Sequence, residues 1–136
     1  MHQTAAVGTS ARIVDFSSLA DGLLGITCRG ERRFRLQRRV RAVDGLNLGE
    51  VEWLADEPWV ALPGAYRHLA DWLRNVLPQF GDLYASIPRH YDDAAWVGAR
   101  IAETLPISLS DKQACLELDP LARLTRLAPL IRRGAG

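Results

Sequence analysis

The apolar pattern changes period once along this chain, and that change limits the fold more than any other feature. Up to Pro58 the apolar residues come in short runs and recur at every second position. Beyond Gly64 they recur at every third or fourth. A period of two places side chains on one face of a strand; a period near 3.6 places them on one stripe of a helix. Strands followed by helices give an α+β fold. We therefore divide the chain into a β subdomain, residues 1–58, and a helical subdomain, residues 59–136, which together make one domain.

Ala6 to Phe16 is the first expected strand, with Val7, Thr9, Ala11, Ile13 and Asp15 on one face. The SSLADG segment supplies a turn. Leu23 to Arg29 is a second extended run, interrupted at Gly30 by a bulge or bend. The stretch CRGERRFRLQRRVRAV, Cys28 to Val43, then sets seven arginines against one acid, Glu31. Phe34, Leu36, Val40 and Ala42 share one parity, and Arg33, Arg35, Arg39 and Arg41 take the other. Arg38 breaks the alternation, which marks a bulge or an exposed end there. Asp44-Gly45 is a tight-turn signal, and Leu46 to Leu54 returns as another strand. The expected product is an antiparallel meander.

In the second half, Leu62 to Leu77 puts Tyr66, Leu69, Ala70, Leu73, Val76 and Leu77 on one helical stripe, stopped by Pro78. Asp92 to Leu105 repeats the pattern and is stopped by Pro106. Ser110 is expected to cap a third helix, with Gln113 reaching back. Asp119-Pro120 opens a fourth, whose stripe is Leu121, Leu124, Leu127 and Leu130/Ile131. Pro129 should kink or end it.

Much chemistry is excluded. Lys112 is the only lysine, and it does not sit in the Gly-Lys-Ser/Thr context of a phosphate-binding loop. Beside Asp111 in a helix's first turn it stays charged, which makes it a poor catalytic base. His2, His68 and His90 have no metal-ligand spacing among themselves or with the cysteines; His2 falls in the terminus. His68 and Asp71, one turn apart, read as a surface hydrogen bond. Asp92-Asp93 read as acids at a helix start, where free N–H groups favour them. Cys28 and Cys115 both read as buried, reduced thiols. No catalytic residue, metal site or cofactor site is expected, and the chain is not expected to be an enzyme. No apolar run approaches the ~18 residues of a membrane span. The opening residues lack a signal sequence. The expected setting is cytoplasmic, with no membrane partner.

The arginines admit three uses: a solvated strand face, a protein contact, or a nucleic-acid contact through Arg29 to Arg41. The chain's formal net charge is only +1, whereas phosphate binding draws on a clear basic excess. Base stacking also wants aromatics on the arginine face, and Phe34 has the opposite parity. Protein is therefore the favoured partner, and an RNA-binding module is the alternative. Trp72 and Trp96 fall within helices and read as packing at the core's edge. The candidate partner surface is Arg33, Arg35, Arg39 and Trp59, the last beside Pro58 in the linker.

The order of these motifs resembles the N-terminal domain of the Lon proteases. Val7-Gly8-Thr9 opens a strand; Asp21-Gly22 closes a turn; Gly30, Arg33 and Arg35 follow. In the helical half the matching residues are Asp111-Lys112-Gln113, Leu116-Glu117-Leu118 and Leu121 to Leu127. The resemblance runs from Val7 to Leu130. It implies a PUA-like antiparallel β pseudo-barrel followed by a helical bundle, in a bacterial, stand-alone member of the family. The implied function is to bind protein or unfolded polypeptide, without ATPase or peptidase domains. The strands and helix that open the family's domain have no counterpart before Val7, so the barrel is expected to be partial. Open edges and bare apolar faces would then favour a homodimer through the sheet edge nearest the N-terminus.

Overall fold

The computed structural model describes residues 4–131; His2 lies outside them. Contacts divide the chain between Asp56 and Glu57 into a β unit and a helical unit. The β unit is one antiparallel sheet of three strands in the order β1 (Val7–Ser18), β2 (Leu24–Arg41), β3 (Asn47–Trp53). Both hairpin turns use the expected Asp-Gly pairs. Gly22 and Gly45 have φ of 84° and 88°, a region that penalises any Cβ. Asp21 and Asp44 each accept a bond from the backbone N–H two residues on, the local turn-forming bond of a short acid.

The bulge or bend expected at Gly30 is a bulge, and β2 runs on through it for 18 residues. Thr9 pairs with Arg33 while Ala11 pairs with Gly30, so β2 spends three residues where β1 spends two. The same happens between Leu36, opposite Val51, and Arg39, opposite Gly49. A third irregularity adds Val14 to β1, between the Ile13–Cys28 and Asp15–Thr27 pairs. Each extra residue bends its strand and exchanges its faces while pairing continues.

The exchange corrects the expected parity. Val7, Thr9, Ala11 and Ile13 do share a face, but beyond Val14 Phe16 takes the place expected for Asp15. Leu36 lies on the face of Phe34. After the bulge at Gln37, however, it is Arg39 and Arg41 that return to that face, opposite Gly49 and Asn47. Val40 pairs with Leu48 on the other side and is 41% exposed. Among the described residues of the β unit, only Val7 is buried.

The helical unit contains the core. A 3₁₀ turn, Gly64–Tyr66, leads into α1 (Arg67–Val76). The α-helix ends at Val76, just before the expected stop at Pro78, and 3₁₀ turns follow over Leu77–Tyr84, broken at Gly81, whose φ is 62°. Proline lacks only its own N–H and is tolerated in a first turn, so the tighter turns can begin at it. Then come α2 (Ala94–Thr104), α3 (Leu109–Glu117), α4 (Pro120–Leu127) and a closing 3₁₀ turn, Ala128–Leu130, at Pro129. Leu69, Leu73, Leu77, Val97, Ile101, Cys115, Leu124 and Leu127 pack together. Trp72 and Trp96 lie partly buried against them, as expected.

The caps show how local chemistry sets these boundaries. Asp93 caps α2, accepting from Ala95 N–H at 3.0 Å and from Val60 N–H at 3.2 Å. Asp119 caps α4 through Ala122 N–H at 2.9 Å. The third cap is Ser108 rather than Ser110: its hydroxyl accepts from Asp111 N–H at 3.1 Å. Leu121 is 43% exposed, and Arg123 takes the buried place beside Leu124 and Leu127. The Asp71 partner expected for His68 is absent: the Nδ1 of His68 is buried without one.

Candidate functional site

The β unit has two chemically different faces. On the Phe34 face, Gly8, Phe34 and Trp53 form one row across the three strands, and Leu36 and Val51 the next. The Phe34 and Trp53 rings meet edge to face at 5.9 Å, and the Arg32 guanidinium lies 4.7 Å from the Trp53 ring centre. The two glycines are needed for space. A Cβ on Gly8 would come 2.8 Å from the Phe34 ring, and one on Gly49 2.7 Å from Leu36 Cδ1. Phe34 and Leu36 therefore lie flat across neighbouring strands.

An open pocket of about 330 Å³ results. Phe34, Leu36, Leu48 and Val51 line it, with Arg39 and Asn47 as polar members. Arg39 Nη1 donates to Thr4 Oγ1 at 2.8 Å, which fixes the guanidinium beside an apolar hollow. Mostly apolar walls with a few placed polar groups are the usual make-up of a binding pocket. The pocket adjoins β3, an edge strand, and edge strands keep backbone groups available for another strand.

The opposite face belongs to Arg33, Arg35 and Arg38, opposite Thr9, Glu52 and Glu50 respectively. Toward the β1–β2 turn it becomes apolar: Ile13 and Cys28, Phe16 and Ile26, then Leu24. Cys28 is exposed there, contrary to expectation, while Cys115 is buried and its burial pushes the thiol pKa up.

Of the residues expected at one partner surface, the three arginines are thus divided between the two faces of the sheet. Arg33 and Arg35 lie on one face and Arg39 on the other, at the pocket. Trp59 belongs to the helical unit and is 65% exposed. Parity counting missed this because a bulge depends on two paired strands and one strand's sequence does not display it. It did carry a signal at Arg38, where the alternation fails.

The helical unit's polar chemistry is structural. Arg123, 2% exposed, donates to Cys115 O at 2.7 Å and Leu118 O at 3.0 Å, and grips both carboxylate oxygens of Glu57 at 3.0 and 2.8 Å. Tyr84 donates to Glu103 at 3.1 Å; burial, reinforced by that carboxylate, raises its pKa to about 12. Bonds from Arg126 and from Ser108 hold the Asp111 carboxyl below its usual range. Among the described residues no three His, Cys, Asp or Glu side chains gather as a metal site, and no helix is long and apolar enough to cross a membrane.

Comparison with known proteins places these features. Residues 2–133 match the model of the ATP-dependent protease La (LON) substrate-binding domain. The crystal structure of a Lon N-terminal domain protein from Xanthomonas campestris is 37% identical and superposes with a TM-score of 0.75, over 94% of this chain and 69% of that one. The N-terminal domain of a Mycobacterium avium complex Lon protease is 20% identical. It shares the fold with a TM-score of 0.60, over 95% of this chain and 71% of that one. No curated protein matches.

Proposed function

The chain belongs to the family of Lon substrate-binding domains, and from that premise we propose that it is a noncatalytic module which binds extended polypeptide on its β unit. The observation that carries this reading is the apolar pocket on the Phe34 face beside the β3 edge. A strand added to that edge forms main-chain bonds of no particular sequence, and every second side chain then points to one face. Apolar residues of the ligand fill the pocket, and Arg39 meets an acidic residue or a terminal carboxylate. Trp59 remains a second, exposed anchor.

A structural use for the one lysine supports the noncatalytic part. Lys112 Nζ donates to Glu103 O at 3.0 Å, where a cation suits the carbonyl end of α2. The RNA-binding alternative draws less support, since the arginines of β2 are divided between two faces. A cytoplasmic setting belongs to the same proposal.

The test is binding of a labelled, permanently unfolded polypeptide, such as reduced and carboxymethylated α-lactalbumin, followed by fluorescence anisotropy. Val51→Glu, on the pocket wall opposite Leu36, should weaken binding by about tenfold or more, the effect of a desolvated charge. Thr27→Glu, far along the β1–β2 hairpin, should not. Absence of binding by the unmodified chain, or equal affinity of Val51→Glu, would overturn the proposal.

A further inference from the structure

The β1–β2 hairpin is amphipathic beyond the needs of a solvated ribbon. From the turn inward, one face carries Leu24, Phe16 with Ile26, Ile13 with Cys28, and Ala11 with Gly30. The reverse face carries Ser17, Asp15 with Thr27, and Arg12 with Arg29. Ile13, Phe16, Leu24 and Ile26 are 49%, 62%, 66% and 52% exposed. Together they present roughly 400 Å² of apolar surface, the size at which a patch marks an interaction site. We propose that this face is covered by the same face of a second copy of the chain, in a two-fold symmetric dimer with the hairpins antiparallel.

Charge selects that occupant and that direction. Between Ile13 and Thr27 the only charged residues are Asp15 and Asp21, and from Cys28 to Arg41 the seven arginines face Glu31 alone. The hairpin is acidic at its tip and basic at its base. A two-fold axis through the Phe16–Ile26 row lays the tip of each hairpin along the base of the other. Asp21 then approaches Arg33 of the second copy. A parallel pairing would set tip against tip and base against base, like charge on like. Identical patches meeting about an axis form a closed pair. A stable interface needs roughly 800 Å² per partner. The apolar rows supply about half, and the same face continues through Thr9, Arg33 and Arg35. The sequence suggested pairing through a sheet edge; the geometry points to a sheet face. The inference is independent of the polypeptide-binding reading, which uses the opposite face.

Sedimentation velocity on the purified chain tests it. The unmodified protein should sediment as a pair of 15.1 kDa chains at tens of micromolar. Phe16→Glu and Ile26→Glu should be monomeric with unchanged helical circular dichroism, since both positions are exposed. Thr27→Glu, on the reverse face, should remain dimeric. Asp21→Arg should weaken the dimer at least tenfold, and adding Arg33→Asp should restore it. Alkylation of Cys28 should slow as protein concentration rises, and should not do so in Phe16→Glu. A monomer at a hundred micromolar would overturn the proposal. So would a dimer that survives Ile26→Glu, or one that Thr27→Glu breaks equally well.

Discussion

Removing the Glu57 carboxylate should damage the helical unit more than any exposed change. In Glu57→Ala the Arg123 guanidinium loses its bonds of 3.0 and 2.8 Å and stays 2% exposed, with backbone carbonyls as its remaining partners. Leaving one half of a buried pair costs about 3–5 kcal/mol. The Glu57 side chain is 17% exposed, so water can replace part of the lost charge and the low end, about 3 kcal/mol, is expected. At ~4–8 °C per kcal/mol for a small domain, the helical melting transition should fall by about 12 °C or more. Circular dichroism melts measure it. The decisive comparison is the same change in Arg123→Met, whose apolar side chain leaves no buried charge to strand. There, Glu57→Ala should cost less than about 0.5 kcal/mol. Equal losses in both backgrounds, or a drop below about 3 °C in the first, would refute the coupling.

Gly98→Ala in α2 should destabilise by about 1 kcal/mol although alanine is the better helix former. The new Cβ would sit 3.1 Å from Arg123 Cδ, and the bonds that hold Arg123 prevent it from yielding; a thermal melt reads the sign. Tyr84 has its pKa raised from 10.0 to about 12, so the folded state keeps a proton that the unfolded state releases. The stability this gives is complete below about pH 10 and is lost as pH rises toward 12. Urea melts of Tyr84→Phe should show a flatter alkaline loss over that window. Cys115 should resist alkylation until the protein unfolds, since it is buried and its thiol pKa is raised. Cys28→Ser should therefore take up no reagent under native conditions.

The features legible in the sequence are those decided within a few residues. Asp93 and Asp119 cap the helices that were expected from them, and the Asp-Gly turns sit where the dipeptides place them. Ser108 and Ser110 are chemically equivalent caps two residues apart, and the chain uses the earlier one. What was not legible depends on partners distant in sequence. Arg123 occupies a core position because Glu57, 66 residues away, meets it, and no local pattern announces that. The exposure of Cys28 follows from what faces the hairpin, which its apolar neighbours do not reveal. At the candidate site, the pocket's apolar half was readable as Phe34 and Leu36. Arg39 was assigned to the wrong face, since one extra residue at Gln37 reverses everything after it.

That extra residue makes the pairing with β3, and not the count along β2, the frame in which the side chains are read. Deleting Gln37 would remove the bulge but leave Arg38 opposite Glu50, Arg39 opposite Gly49 and Val40 opposite Leu48, so each side chain would keep its face. The pocket would keep its cation, and β2 would lose only its local bend. Among relatives of this chain, the loss of one residue between Leu36 and Arg39 should therefore be counted as a change in how sharply the strand bends, and not as a change of ligand chemistry.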